Sequence, residues 1–238
     1  MNKIIISILV ITGVFGSFSS SKKKLLKKVY YDHQITFYCQ NPYEIKLVKG
    51  KEKALIIKDI TKYTPRNEFT KTTNKINIRA KRIEWEHIVP AQNFGRQLDC
   101  WYSGDDKCIT SKGVKYKGRK CCKKVSKKYK TMESDMLNLV PSIGEINADR
   151  SNYRYMDTNM NLKGQYGACE FKTDFKGRVV YPADYTKGFI SRTFLYFSKK
   201  YDMKLSDRDI KMFRVWDKKY PKTKWEQKRE KRIEKLQK

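Results

Sequence analysis

Apolar and polar positions alternate in two stretches of the N-terminal half of the chain. Between Tyr43 and Ile60 the alternation is loose, as in strands that expose one face to solvent. The stretch from Ile83 to Val89 also has the pattern of a strand. Pro90 can then open a short helix through Gln97, because its missing N–H is no loss in a first turn. The pattern therefore predicts strands in both stretches and a short helix after the second.

A helix start is marked near the middle of the chain. Ser142 is followed three residues later by Glu145, which matches a capping box in which the two side chains satisfy free N–H groups. This spacing predicts a helix that starts near Ile143. Asn147 and Arg150 would both lie on it.

Two further helical signals lie toward the C-terminus. Residues 188–201 carry large apolar side chains at helical spacing, which indicates a helix packed on the core: Ile190, Phe194, Phe197 and Tyr201. Residues 218–238 contain ten basic and three acidic residues. This last segment is expected to form a charged helix or a frayed tail.

The first twenty residues have the pattern of an export signal. Lys3 gives a positive start, and Ile4 to Gly16 form an apolar run that is short for a bilayer span. Ser17, Phe18 and Ser19 then place small residues at alternate positions, as a signal peptidase prefers. We expect cleavage near residues 19–21, with an uncleaved anchor as the alternative. The division is then a signal peptide at 1–20 and one domain at 21–238, without stable membrane insertion after cleavage.

The net charge of the chain indicates which class of molecule it binds. The 238 residues include 54 Lys and Arg against 25 Asp and Glu, a formal net charge of +29. Such an excess attracts polyanions, with nucleic acid the leading candidate and anionic membranes or polysaccharides second. Genomic drift is the alternative explanation for part of the lysine excess, since many codons of Lys, Ile, Asn and Tyr are AT-rich. The charge says nothing direct about the fold.

Six cysteines form an even set in a chain with an export signal, which favours disulfides. No C-x-x-C pair occurs and the chain has two histidines, so a structural zinc site finds no ligand pattern. The spacing of the cysteines does not determine their pairing. One hypothesis pairs Cys39 with Cys169 and places the other bridges within residues 100–122. Residues 100–130 are expected to be a disulfide-tied, lysine-rich loop. The cysteines concerned are Cys39, Cys100, Cys108, Cys121, Cys122 and Cys169.

Two histidines leave few candidates for a general base near neutral pH. His87 follows Glu84 and Glu86 in the sequence EWEH. On a strand the two glutamates share one face and the histidine takes the other. A carboxylate can hold Mg²⁺ while a nearby imidazole activates water, but an isolated Glu-His pair is more often structural.

A longer pattern surrounds that pair. The sequence RIEWEHIVPA at residues 82–91, then Phe94-Gly95 and Cys100-Trp101, closely resembles the bacterial endonuclease I family of periplasmic and secreted nucleases. A second stretch, residues 137–152, is similar as well and follows in the right order. Weaker similarity extends the resemblance over about residues 28 to 235. The resemblance implies an α+β fold: a mixed α/β single domain with a ββα-metal (His-Me finger) motif.

The same resemblance implies roles for individual residues. His87 matches the general base, Glu86 and Asn147 match the direct ligands of one Mg²⁺ or Mn²⁺ ion, and Arg119 matches the arginine that steadies the scissile phosphate. The match at Arg119 is weakened by the length and lysine content of the surrounding segment. Two acidic residues match supporting positions beside the site, namely Glu84 and Glu133.

Residues 115–130 alone carry nine basic residues. We expect part of this cluster to guide the nucleic-acid backbone, although a solvated basic loop without a task is the alternative for most of the lysines. The candidate nucleic-acid-binding residues are Lys117, Lys120, Lys123, Lys124, Lys127 and Lys128. Lys117, Lys120 and Lys123 are also the alternatives to Arg119.

The sequence therefore predicts a secreted or periplasmic, monomeric endonuclease. It would cut DNA, and RNA as well, by metal-dependent hydrolysis that leaves 5′ phosphates. The main alternative is a non-enzymatic basic protein that binds nucleic acid or envelope polyanions. An exported toxin that acts on membranes is a third hypothesis, and the lack of a long amphipathic apolar stretch counts against it.

Overall fold

Seven short strands form three separate sheets in the part of the chain that the computed structural model describes, residues 16–70, 73–158 and 161–237. The strands are β1 (Tyr43–Val48), β2 (Lys51–Ile56), β3 (Ile83–His87), β4 (Leu139–Ile143), β5 (Arg154–Tyr155), β6 (Lys172–Asp174) and β7 (Val179–Tyr181). β1 pairs with β2 and β3 with β4, both antiparallel, while β7 lies between β5 and β6. The predicted strands at 43–60 and 83–89 are both present.

Helices make up more of the fold than strands do. They are α1 (Phe18–Lys24), α2 (Ala91–Gly95), α3 (Asp99–Tyr102), α4 (Arg119–Val125), α5 (Lys127–Ser134), α6 (Gly144–Arg150), α7 (Asp184–Tyr201), α8 (Asp207–Lys219) and α9 (Lys224–Gln237). A π-helical turn, Leu25–Val29, continues α1 without a break. The expected leader falls largely outside the described residues, which begin at residue 16.

The expectation of a loop over residues 100–130 is wrong in part. Most of α3, all of α4 and the first half of α5 lie in this segment, and residues 103–118 and Ser126 run between helices. Two disulfides, Cys100–Cys122 and Cys108–Cys121, fasten α4 to α3 and to the connecting segment. These half-cystines are buried and act as part of the core. A helix is stabilised by packing one face on a core, whereas a mobile loop has no such face.

A third disulfide joins Cys39 to Cys169, 130 residues apart. All six cysteines are bridged, in the hypothesised pairing. The bridge connects the segment before β1 to the segment before β6, and both half-cystines belong to the main hydrophobic cluster. That cluster also includes the apolar face of α7, so the helix predicted at 188–201 packs as expected.

The capping box at the start of α6 does not form. Ser142 lies in β4, where its hydroxyl donates to the carbonyl of Ile143 at 3.2 Å. Glu145 is buried and accepts from the hydroxyl of Tyr63 at 2.7 Å and from the backbone N–H of Arg66 at 3.0 Å. The helix still begins where predicted, because β4 runs directly into it.

The basic C-terminal segment is a docked helix and not a frayed tail. Arg229 of α9 is 1% exposed. It donates to the carbonyls of Met136 at 2.6 Å and Leu139 at 2.9 Å and to the hydroxyl of Tyr30 at 2.7 Å. α9 thereby fixes the start of β4. The whole is a mixed α+β single domain with three disulfides, and within the described residues no helix has the length and apolar character needed to cross a membrane.

Candidate active site

The central element of the site is the antiparallel pair of β3 and β4, with α6 directly after β4. Backbone pairing places Glu84 opposite Ser142 and His87 opposite Leu139. Glu84 therefore lies beside the first turn of α6, and His87 lies at the far end of the pair. Gly144 opens α6 because a Cβ there would come within 2.7 Å of the Arg79 carbonyl oxygen. The sequence thus brings Glu84 of the EWEH segment and Asn147 to one end of a small framework.

His87 is buried, with 8% of its surface exposed. Its Nε2 lies 2.9 Å from the backbone carbonyl oxygen of Glu133. Since a carbonyl only accepts, Nε2 carries the proton and Nδ1 keeps the lone pair. Burial lowers the pKa of His87 to about 4, and the charges of Arg119 and Arg150 act in the same direction. The imidazole is therefore neutral at neutral pH and can accept a proton at Nδ1.

Glu86 is the most deeply buried carboxylate of the EWEH segment, at 3% exposure. It accepts a hydrogen bond from the Tyr38 hydroxyl at 3.1 Å and forms an ion pair with Arg150 at 3.3 Å. Burial raises the pKa of Glu86 to about 7, although Arg150 and Tyr38 act to lower it. One arginine thus does not fully compensate the buried charge, and a further cation at the carboxylate would stabilise it.

Asn147 of α6 donates from Nδ2 to Glu84 Oε2 at 3.0 Å. A carboxylate only accepts, so this bond turns Nδ2 toward Glu84 and leaves Oδ1, the atom that can bind a metal, facing away. Arg79 Nε at 3.0 Å and Arg82 Nη2 at 2.9 Å both donate to Glu84 Oε1. Burial would raise the pKa of Glu84, but these arginines outweigh it and the pKa is lowered. Glu84 stays ionised and holds the Asn147 amide in one orientation.

Arg119 and Glu133 form the other side of the site. Arg119, the first residue of α4, donates from Nε and Nη2 to Glu133 Oε1 at 2.9 and 2.7 Å. Lys123 approaches the same oxygen at 3.3 Å. Glu133 is 3% exposed while the Arg119 side chain is 47% exposed. Glu133 thus holds His87 by its carbonyl and Arg119 by its carboxylate, with the guanidinium still open to an anionic substrate.

The donor set suits a hard divalent cation. The described residues contain no group of three or more His, Cys, Asp or Glu side chains that could hold a metal ion. A site made of the Glu86 carboxylate and the Asn147 amide oxygen would leave its other positions to water and phosphate. Mg²⁺ is commonly bound in this way, by one or two protein oxygens and several waters. The incompletely compensated charge of Glu86 fits the same occupant.

The structure joins the predicted residues in pairs: Glu84 with Asn147, His87 with Glu133, and Arg119 with Glu133. Glu86 is joined instead to Arg150 and Tyr38, to which the sequence assigned no role. A signal for Arg150 was present, because it follows Asn147 by three residues on a helix and must share its face. Tyr38 lies 48 residues before Glu86, so local spacing held no signal for it.

The six candidate nucleic-acid-binding lysines are all exposed, on α4, on α5 and on the residues that precede α4. Lys123 is paired with Glu133, and Lys124 donates to the carbonyl of Lys107. Lys120 lies over the ring of Tyr116, at 4.8 Å from its centroid. Lys123 therefore lies beside Arg119, since both side chains contact the same carboxylate oxygen of Glu133.

A model of the endonuclease I family matches residues 17–238. Curated relatives agree with it. An extracellular deoxyribonuclease of Aeromonas hydrophila is 41% identical over 216 residues, which are 90% of this chain and 83% of the relative. A periplasmic deoxyribonuclease of the same organism is 42% identical, over 90% of this chain and 80% of the relative. An endonuclease-1 of Buchnera aphidicola subsp. Acyrthosiphon pisum is 50% identical over 159 residues, 67% of this chain and 58% of the relative.

Proposed function

The chain belongs to the endonuclease I family, and on that premise we propose that it is a metal-dependent endonuclease of the periplasm or the extracellular space. Its substrate is DNA, and RNA as a second substrate, cut with little sequence preference to products with 5′ phosphates. Disulfides at all six cysteines support an oxidising compartment. As part of the same proposal, the chain acts as a monomer.

β3, β4 and α6 form the ββα-metal (His-Me finger) unit of this proposal. The observation that carries it is the state of His87, a buried and neutral imidazole whose Nε2 is bound to a carbonyl, so that Nδ1 keeps a lone pair and is free to act as the base. His87 takes a proton from water, and the resulting hydroxide attacks phosphorus. Glu133 fixes the ring in the tautomer that this step requires.

Glu86 and Asn147 are the ligands in this proposal. They would hold a Mg²⁺ or Mn²⁺ ion, whose positive charge would offset the charge on the phosphate and on the leaving 3′ oxygen. Arg119 binds a non-bridging oxygen of the same phosphate, and Glu133 positions its guanidinium. Glu84 contributes by orienting the Asn147 amide.

The two histidines of the chain provide a matched test. His87→Ala should lower the cleavage rate by roughly 10²- to 10⁴-fold, the usual cost of losing a general base, and leave DNA affinity nearly unchanged. His33→Ala should keep the rate, since His33 stacks on Trp225 and has no part in the chemistry. Plasmid cleavage and fluorescence anisotropy on both variants decide the assignment. Near-normal cleavage by His87→Ala would overturn it.

A further inference from the structure

The N-terminal helix α1 reaches the proposed base. The ring of Phe18 stacks on the imidazole of His87, with 5.0 Å between the ring centroids and an interplanar angle of 28°. The ring of Phe94 is also near His87, but it is tilted and farther away, at 6.3 Å between centroids. The ammonium groups of Lys22 and Lys123 approach the Phe18 ring at 4.7 and 5.9 Å. Phe18 is thus the closest aromatic partner of His87 among the described residues.

α1 is fastened to the domain along its length. At its C-terminal end it continues into the turn that contains Leu25 and Val29, both with 0% exposure. In its middle, the buried Ser21 hydroxyl donates to the carbonyl of Ser134 at 2.7 Å, next to Glu133 in α5. At its N-terminal end the Ser17 hydroxyl caps the helix by accepting from the Ser20 N–H at 3.2 Å.

The position of α1 is relevant to where the signal peptide is cleaved. Cleavage near residues 19–21, as the sequence pattern suggests, would remove Phe18 and the capping Ser17 and expose one face of His87. The family model begins its match at residue 17, so it includes both residues. The helix and the match agree on a domain that starts before Phe18.

We propose that the mature protein retains Phe18 and that this ring is a positioning residue for His87. The inference rests on the proposed function of His87 as the base. The carbonyl of Glu133 holds one edge of the imidazole and Phe18 covers one face, so together they fix both the direction and the plane of the ring. Nδ1 then stays aimed at the attacking water, which a ring held only by one hydrogen bond would not ensure.

The test uses the full chain, exported and recovered after processing. Mass spectrometry of the intact wild-type protein gives the mature N-terminus. A start at or before residue 18 supports the proposal, and a start after residue 18 overturns it. The same measurement on each variant below confirms that processing is unchanged.

Two substitutions of Phe18 then distinguish an effect of the aromatic ring from an effect of apolar bulk alone. Phe18→Leu keeps an apolar side chain without an aromatic ring, whereas Phe18→Tyr keeps the ring. NMR of the histidine ring carbons and protons follows the stacking, because the two histidines give few signals and His33 is an internal reference. Phe18→Leu should move the His87 signals downfield and leave those of His33 in place, while Phe18→Tyr should leave both near the wild type. Unchanged His87 signals in Phe18→Leu would overturn the stacking.

The kinetic arm asks whether the stacked ring matters to the reaction. Phe18→Leu should lower kcat by roughly 10- to 100-fold, the scale of a small misplacement of a catalytic group, with little change in KM for DNA. Phe18→Tyr should restore most of it. If Phe18→Leu shows the NMR change and keeps kcat, the positioning role is wrong. If the wild type shows the stacking and cleaves no DNA, the proposed function fails and the stacking stands.

Discussion

Glu86 is the residue that should respond most strongly to metal concentration. Its carboxylate is buried, and its pKa is raised by burial despite the ion pair with Arg150. Glu86→Gln and Asn147→Ala should each raise the Mg²⁺ concentration needed for half-maximal cleavage, and Glu86→Gln should do so more strongly because it removes charge as well as a ligand. A Mg²⁺ titration of the cleavage rate measures both. Glu44→Gln on β1 is the matched control, with no change expected, and a Glu86→Gln curve that overlays the wild type would exclude this ligand.

Also at the scale of residues, a sequence motif identifies the candidate site residues but not the groups that surround them in the fold. His87, Glu86 and Asn147 could be picked out from two stretches of sequence because residue types and order are local properties of the chain. The groups that set their chemistry come from elsewhere: Tyr38 from 48 residues before Glu86 and the carbonyl of Glu133 from 46 residues after His87. The pKa of a side chain depends on its burial and on the charges and hydrogen bonds around it, and these are decided only when distant segments pack together.

At the scale of elements, α9 should matter to stability more than its charged sequence suggests. Arg229 satisfies the carbonyls of Met136 and Leu139 at the start of β4, the strand that pairs with β3. Arg229→Ala takes a donor from both carbonyls and leaves that of Leu139 without its Arg229 partner, whereas Met136 still accepts from the Leu139 N–H. A buried acceptor left without a donor costs about 1–3 kcal/mol, and we expect a loss on this scale in the free energy of unfolding, measured by urea denaturation.

The matched control for Arg229 is Lys231→Ala, two residues away on the exposed side of α9. A surface substitution of this kind usually changes stability by less than about 0.5 kcal/mol. Equal effects of the two substitutions would show that α9 is a loosely attached helix, contrary to the docking described above.

Elements with a clear period were predictable and those dominated by charge were not. The alternation at 43–60 and the apolar spacing at 188–201 lead to β1, β2 and α7, because burial of one face leaves its period in the sequence. α4 and α5 were missed since lysines cover their outer faces and their inner faces rest on disulfides and Tyr129. The helix start near residue 143 was predicted from a capping box. That box does not form, because Glu145 accepts hydrogen bonds from Tyr63 and Arg66 instead.

For the whole molecule, the question is whether the net charge of +29 serves binding. Lys117, Lys124, Lys127 and Lys128 are exposed on α4, on α5 and just before α4, the helix that begins with Arg119; Lys123 is left out because it pairs with Glu133. Changing these four to Gln should raise KM and flatten the dependence of affinity on salt, by about 0.9 in log–log slope for each phosphate that the variant no longer neutralises. The rate at saturating DNA should change little, because these lysines bind substrate and transition state alike.

The control is a variant that loses the same number of positive charges at positions far along the chain. Lys211, Arg214, Lys231 and Lys235 are exposed on α8 and α9. Their replacement by Gln removes the same net charge, so it should shift the salt dependence less than the first set does. Equal shifts would mean that overall charge, and not the basic surface of α4 and α5, attracts the nucleic acid. Composition determines the size of the charge, but only the fold places it.

Metal-dependent cleavage by the intact, disulfide-bonded protein is the central claim, and supercoiled plasmid tests it most directly. With Mg²⁺ present, the purified protein should convert the plasmid to nicked and linear forms and then to fragments. Excess EDTA should stop the reaction, and Mg²⁺ added beyond the chelator should restart it. Cleavage that persists in excess EDTA would contradict the mechanism. Plasmid that is bound but left intact in Mg²⁺ would instead show a basic nucleic-acid-binding protein without nuclease activity.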